Sequence, residues 1–452
     1  MKLSVRSKAA FCFGAFGKDI VYMLVNSYLL YYYNVVLGVS SAFIGVVLMA
    51  ARIFDALNDP FMGVIVAKTK TRFGRFRPWI FSGTVLNALT IYALFAAPTG
   101  MGESGMKVWL AVIYIGWGIT YTMMDIPFWS MIPAITDPGK DREQLSSISR
   151  SASGVGSAFA QVLTMTVVPI LAGSSAIADY RIGFKWWALI IMVTFLISEI
   201  VFVLNVPEKK PMDMASVKVT DMFKSLLRND QAMCLVVAVV LVYLAIDIIA
   251  NLVLYFFQFD LGDTGVYSLF TAGCFLAQVL FMMLIPALRK KIEKLRLFSL
   301  GVIVQIIGYA LLLGFAFSGI YKNAWFILMV PGVMIFAGYG VLTVLLTVFL
   351  SDSVDYGEMR NGSREESVIF SMQTFTVKLA SGLAAFLSGI AIEMIGLDSE
   401  AAVQSAATLS GLRLWMTIPA VIALVAAFVV FKKFYKLDDA KMQEIKEKIS
   451  AK

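Results

Sequence analysis

The residues best suited to chemistry in this chain are Arg52, Asp55, Asn58 and Asp59. They fall in Arg52-Ile-Phe-Asp-Ala-Leu-Asn-Asp-Pro60, inside an otherwise apolar segment running from Ala42 to Val66. That segment has the length and composition of a membrane-spanning helix, where an ionisable side chain costs roughly 2.5–3.5 kcal/mol on insertion scales. Asp55 and Asp59 stand four residues apart and share a helical face, with Arg52 about one turn before Asp55. Two carboxylates and an amide carbonyl gathered there make an oxygen-rich site, suited to a small hard cation or to a proton shared between the acids. A satisfied Arg52–Asp55 ion pair is the plain alternative, but it leaves Asn58 and Asp59 unexplained.

The elements that must position these groups are membrane helices. Of 452 residues, 59% are hydrophobic and only 15% charged, with mean hydropathy +0.81, which points to an all-α polytopic membrane protein. Twelve apolar runs are long enough to span a bilayer, from Ala9–Leu37 to Leu414–Phe431. They include Gly154–Ala172 as the fifth and Ala324–Leu350 as the tenth. The longest polar interruption, Pro207 to Gln231, splits them six and six. The expected organisation is a bundle over 1–206, a cytoplasmic linker over 207–231, a second bundle over 232–431 and a cytoplasmic tail over 432–452.

The net charge of +8 does not indicate nucleic acid, because the basic residues sit in short loops between spans. With alternate loops assigned to opposite sides, one side and both termini hold 30 of the 38 Lys and Arg. The other side holds five, and Lys18, Arg52 and Lys378 lie within spans. Both termini are therefore expected in the cytoplasm. Cys12, Cys234 and Cys274 all lie in apolar runs, which argues against a disulfide framework or a CxxC metal site. The chain has no histidine, which excludes a Ser-His-Asp hydrolase, a His-ligated zinc site and a histidine proton relay. The basic N-terminus runs into the first span with no small-residue cleavage site, so that span reads as retained. Twelve spans as six plus six with a basic central loop point to a major-facilitator fold, in which substrate binds between the halves.

Other charges lie at membrane depth. Lys18-Asp19 follows the small-residue stretch Gly14-Ala-Phe-Gly17, which favours close helix approach, and Asp125 precedes Trp129 on the fourth span. Arg150 opens the fifth span, and Lys378 in the eleventh follows Gln373 and Thr374 by about one turn. Carboxylates beside aromatic faces suit sugars: acids accept hydrogen bonds from vicinal hydroxyls while the ring stacks on C–H faces. A structural role neutralising the acids is the alternative for Lys378. Glu199, toward the cytoplasmic end of the sixth span, reads as half of a structural ion pair, while Asp247, near Asn251, is undecided.

Lys68, Lys70, Arg72, Arg75 and Arg77 crowd one short turn, and the tenth span ends in Asp352-Ser-Val-Asp355-Tyr-Gly-Glu358. Opposite charge at cytoplasmic helix ends of the two halves suits a salt-bridge gate made by Arg75, Arg77, Asp352, Asp355 and Glu358. Plain positive-inside topology with an acidic helix end would produce the same pattern. No Walker pattern occurs, so a nucleotide site is not indicated.

Gly17-Lys-Asp19, Asp55-Ala-Leu-Asn-Asp-Pro60, Arg72-Phe-Gly-Arg-Phe-Arg-Pro-Trp79, Asp125-Ile-Pro-Phe-Trp129 and Asp355-Tyr-Gly-Glu358 together resemble the glycoside-pentoside-hexuronide:cation symporters, over nearly the whole chain. The resemblance implies co-transport of a glycoside with Na⁺, Li⁺ or H⁺. It also implies a cation site of Asp55, Asn58, Asp59 and Thr122. Lys18, Asp19, Tyr121, Asp125, Trp129, Arg150, Gln373, Thr374 and Lys378 would form or border the sugar site. Ala67 departs from the acidic or amide residue usual in the family's loop motif. Four oxygen-bearing side chains favour Na⁺ or Li⁺ as a coupling ion, since a proton needs only one carboxylate.

The expectation is a bacterial inner-membrane symporter rather than an enzyme, working as a monomer among membrane lipid by alternating access. No cofactor is implied, the cation being cargo, and no nucleic-acid partner. A non-transporting sugar sensor on the same fold is the alternative.

Overall fold

The computed structural model describes residues 4–136, 140–208, 229–361, 366–399, 401 and 403–450. Most of the expected linker, residues 209–228, lies outside the described residues, as do the last two residues of the tail. The chain divides into two compact units, Met1–Ser216 and Val217–Lys452.

The first unit is built from α1 (Val5–Tyr31), α2 (Ser41–Lys68), α3 (Arg77–Phe95), α4 (Glu103–Ile135), α5 (Lys140–Ala172) and α6 (Tyr180–Asn205). Its core forms where α1 packs on α5 and α6, α3 packs on α4 and α6, and α2 leans on α4. The second unit holds α7 (Asp230–Tyr255), α8 (Thr264–Arg289), α9 (Lys294–Ser318), α10 (Met329–Asn361), α11 (Glu366–Met394) and α12 (Ala406–Phe434), then the tail helix α13 (Asp439–Ser450). The same pairings recur there: α7 packs on α11 and α12, α9 on α10 and α12, and α8 on α10. Both leading helices also end in a π-helical turn, Tyr32–Val36 after α1 and Phe256–Leu261 after α7. Each unit is thus a repeat of the other in its internal pairing, as parallel repeats in a transporter require.

Local chemistry sets the helix ends. Ser4 accepts a hydrogen bond from the Ser7 amide at 3.1 Å and Asn229 one from the Ala232 amide at 3.0 Å, so a polar side chain satisfies an orphan donor at each N-terminus. Pro78 sits in the first turn of α3, where its missing N–H costs nothing. Among the described residues, ten helices are long and apolar enough to cross a membrane by length and composition. The long helices outside that set are α2 and α4, the ones that carry Arg52, Asp55 and Asp59, and Thr120, Tyr121, Thr122 and Asp125.

Two helices differ from the hydropathy expectation. α5 begins at Lys140, so Arg150 lies well inside it rather than at its start. α10 runs on to Asn361 and carries Asp352, Asp355 and Glu358 as a ladder of i, i+3 residues. In both cases the extra turns are polar, so an apolar count stops where the helix does not.

Candidate functional site

Lys18 is the hub of the first cluster. It is 3% exposed, and its Nζ lies 2.6 Å from Asp19 Oδ1 and 2.7 Å from Asp125 Oδ1, donating also to the Tyr121 hydroxyl at 3.3 Å. α1 supplies the lysine and its neighbouring acid, whereas α4 supplies Tyr121, Asp125 and Trp129 at four-residue spacing, which stacks them on one face. α5 closes the third side: Ser153 donates to Asp19 Oδ2, and the Arg150 guanidinium carbon stands 3.9 Å over the Trp129 ring. Lys18 Nζ is 4.9 Å from the centroid of the same indole, so both cations face a ring whose electron-rich surface attracts them. Asp19 and Asp125 keep 17% and 30% of their side-chain surface open. The cluster is therefore reachable by a solute.

The second cluster joins α2 to α4. The Thr122 hydroxyl donates to Asp59 Oδ1 at 3.1 Å. Asp55 is buried against the α4 backbone at Gly118, where any Cβ would stand 3.2 Å or less from its carboxylate oxygens. Gly118 and Thr122 are four apart, so α4 presents one stripe to the α2 acids and another to Lys18. Arg52 Nη1 lies 3.9 Å from Asp55 Oδ2, and its guanidinium also donates to Asn26 Oδ1 at 3.1 Å, under the Tyr22 ring. Asn58 is half-buried and makes no hydrogen bond to another described residue. Among the described residues, no three His, Cys, Asp or Glu side chains converge to hold a metal. The donors here are two carboxylates, an amide and a hydroxyl, all hard oxygens.

Several contributors carry no signal in the sequence. Gly118, Asn26 and Ser153 are ordinary residues of membrane helices, and their roles arise from contacts between helices. Asn87 is another: it is wholly buried and donates to the Trp117 carbonyl at 2.9 Å and to Thr120 at 3.0 Å, fixing α3 against α4 behind the site.

Glu199 departs from expectation. It is 1% exposed on α6, neither carboxylate oxygen has a hydrogen-bond partner among the described residues, and no ion pair forms. Burial on α6 keeps its carboxyl out of pairing distance of any basic group among the described residues.

Of the expected gate residues, Arg77 and Asp352 have side-chain partners within their own units. Arg77 donates to the Val203 carbonyl, and Glu208 accepts from the Arg75 amide at 2.8 Å and the Phe76 amide at 3.1 Å, capping the start of α3. In the second unit Lys294 pairs with Asp352 at 2.6 Å, while Asp355 and Glu358 are half-buried on α10. Gln373 and Lys378 are half-buried on α11, and the side chain of Thr374 lies outside the described residues.

The family model described as MFS/sugar transport protein matches residues 10–439. The isoprimeverose transporter of Lactiplantibacillus pentosus is 26% identical over 446 residues, covering 96% of this chain and 89% of that one. The lactose permease of Lactobacillus delbrueckii subsp. bulgaricus is 27% identical over 466 residues, covering 99% and 73%. Among solved structures, a bacterial homolog to the human lysosomal transporter Spinster aligns with a TM-score of 0.73 at 13% identity, covering 95% of this chain and 97% of that one, a likeness of fold.

Proposed function

Because this chain belongs to the MFS/sugar transport protein family, we propose that it is a secondary symporter importing a glycoside with a monovalent cation by alternating access. It is a transporter and not an enzyme. The observation that carries the coupling is α4, which bears Thr122 against Asp59 and, one residue round the helix, Tyr121 and Asp125 against Lys18. A cation drawing on Asp55, Asn58, Asp59 and Thr122 acts on the helix that holds the sugar acid Asp125. Cation binding competes with the Thr122–Asp59 hydrogen bond, and any resulting change in α4 reaches Asp125. Reciprocity then requires sugar to tighten cation binding by the same factor.

For the sugar, Asp19 and Asp125 accept hydroxyl protons, Trp129 and Tyr121 offer faces for C–H stacking, and Lys18 and Arg150 balance the charge. The resemblance, whose motifs are most similar to those of bacterial melibiose permease, adds Gln373, Thr374 and Lys378 to sugar recognition. The charge pattern of the sequence assigns Arg75, Arg77, Asp352, Asp355 and Glu358 to the cytoplasmic gate. The proposed setting is the bacterial inner membrane, with both termini in the cytoplasm and a monomer as the working unit. Four oxygen donors favour Na⁺ or Li⁺, with H⁺ as a substitute. The relatives named above are a transporter and a permease, which supports movement of sugar over mere sensing.

Counterflow of labelled isoprimeverose and lactose in proteoliposomes tests the reading, with and without Na⁺ at fixed neutral pH. Cation-stimulated counterflow of a glycoside is expected. Sugar binding without counterflow would mark a sensor and overturn transport, and indifference to Na⁺ and Li⁺ at every pH would make H⁺ the sole coupling ion.

A further inference from the structure

A buried carboxyl that the symport reading leaves unused is Glu199. α6 approaches α1 closely at Gly17, where a Cβ would fall 2.7 Å from Ser198 Cβ, so Ser198-Glu199 lies beside Gly17-Lys18-Asp19. The neighbouring Ser198 hydroxyl does not serve the carboxyl, since it donates to the Phe195 carbonyl at 2.8 Å. Phe202, one turn further along α6, packs on Phe128 and Phe11 with ring centroids 4.6 and 5.1 Å apart, an apolar wall. Both Glu199 oxygens are without a hydrogen bond among the described residues, and the residue is 1% exposed.

The charged groups around it are few. Lys18 and Asp19 of α1 stand across the Gly17–Ser198 contact, and Lys18 also holds Asp125 of α4. Arg77 of α3 is turned to the Val203 carbonyl, and Arg150 of α5 lies on Trp129. Among the described residues the ammonium beside it, Lys18, is thus already divided between two carboxylates at 2.6 and 2.7 Å. A third ionised carboxylate, buried and without a protein donor, would be unsupported, because such a group takes a proton rather than bear its charge.

We propose that Glu199 is a proton-binding site of the transport cycle, protonated while Lys18 is held by Asp19 and Asp125. When sugar hydroxyls take those two acids, Lys18 is freed toward Glu199, which releases its proton to water and becomes the counter-ion. The proton closes the balance: the ammonium exchanges two carboxylate partners for one, Asp19 and Asp125 stay ionised under the sugar hydroxyls, and the unit of positive charge the cluster loses leaves on the released proton. The proposal rests on the reading of Lys18, Asp19 and Asp125 as the sugar site. Because binding expels a proton, sugar affinity rises with pH.

Infrared spectroscopy and calorimetry on the full-length purified protein test it. At neutral pH without sugar, the wild type should show a protonated-carboxyl stretch that is lost in Glu199→Gln. Calorimetry with isoprimeverose and lactose in two buffers of different ionisation enthalpy should show proton release on binding, and none in Glu199→Gln, whose affinity is then flat with pH. Where the Gln variant does not fold, Glu199→Asp should shift the carboxyl band instead. An unchanged band in the variant overturns the proposal, as does equal proton release from variant and wild type. If neither sugar binds the wild type, the sugar-site reading fails for these probes while the infrared band still decides whether Glu199 holds a proton.

Discussion

Each unit buries an acidic cluster, and the two are built oppositely. In the second unit Asp260 lies in the π-helical turn after α7, its side chain 0% exposed. It accepts from Arg413 Nε at 2.7 Å, Arg413 Nη2 at 2.8 Å and the Tyr321 hydroxyl at 2.5 Å. Arg413 also donates to that hydroxyl at 3.1 Å. Both carboxylate oxygens are used, the fork is bidentate, and three segments of chain are tied together. The Lys18 cluster has one ammonium for two acids, an arginine spread on an indole, and two carboxylates partly open to solvent. A closed ion pair has nothing left to offer a ligand, whereas the Lys18 cluster has acceptors to spare. Burial of charge alone therefore does not mark function; leftover hydrogen-bonding capacity does.

If that contrast is right, the largest effect of mutation falls on stability in one cluster and on affinity in the other. Arg413→Ala leaves the buried Asp260 carboxylate with only the Tyr321 hydroxyl and the largely exposed Lys322 ammonium at 3.9 Å, a loss of up to about 3–5 kcal/mol for a buried pair. Thermal unfolding of the purified protein should drop sharply, while the folded fraction keeps wild-type sugar affinity. Asp19→Asn or Asp125→Asn should do the reverse. A charge-assisted hydrogen bond is worth about 1.5–3 kcal/mol, so sugar affinity measured by calorimetry at saturating cation should fall by one to two orders of magnitude with little change in unfolding. Loss of affinity in Arg413→Ala, or wild-type affinity in both Asn variants, would break the comparison.

The sequence made one cluster visible and hid the other for a physical reason. Lys18, Asp19, Asp55, Asp59 and Asp125 interrupt long apolar runs, and their cost at membrane depth makes them conspicuous. Asp260 and Arg413 sit at span ends, where charge is ordinary and nothing in the one-dimensional pattern shows that the chain folds back on itself. The order of the helices was readable because most of the runs are long and apolar, α2 and α4 with their buried acids being the exceptions. The start of α5 and the end of α10 were not, since those outer turns are polar and hydropathy reports the solvent rather than the helix. Gly118 and Ser153 were invisible for a third reason: a residue without charge acquires a role only through its neighbour. Glu199 was conspicuous but misassigned, because a lone acid on a helix says nothing of whether a partner reaches it.

A smaller and more selective effect is expected at the α2–α4 contact. Asp59→Cys removes the acceptor of the Thr122 hydrogen bond and one carboxylate of the cation site, away from the Lys18 acids. Cation-driven accumulation of sugar in vesicles should be lost while sugar binding and counterflow persist. Asn58→Ala should weaken Na⁺ stimulation more than any proton-driven uptake. Full concentrative uptake by Asp59→Cys under a Na⁺ or H⁺ gradient would show that the two clusters are not divided between ion and sugar.

The smallest effect belongs to a third kind of charge cluster, fully in water. On α13, Glu444 accepts from Lys441 at 2.7 Å and Lys448 at 2.6 Å, and hydrogen bonds to these two lysines hold its carboxyl down at about 2, below the ordinary 4.5. A depressed carboxyl pKa contributes stability that is present above the unfolded value and is lost as pH falls through the folded one. Any contribution of Glu444 is therefore intact at neutral pH and fades only between about pH 4.5 and 2. Because all three side chains are solvated and free to make the same bonds to water, that contribution is small and screened by salt. Glu444→Gln should leave the thermal unfolding midpoint at pH 7 within error of the wild type. Titrating the wild type from pH 7 to 5 should leave the helical signal of this segment unchanged. A clear loss of stability in Glu444→Gln at neutral pH would show that position in water does not make a pair negligible, and the ranking of the three clusters by burial and leftover acceptors would fail.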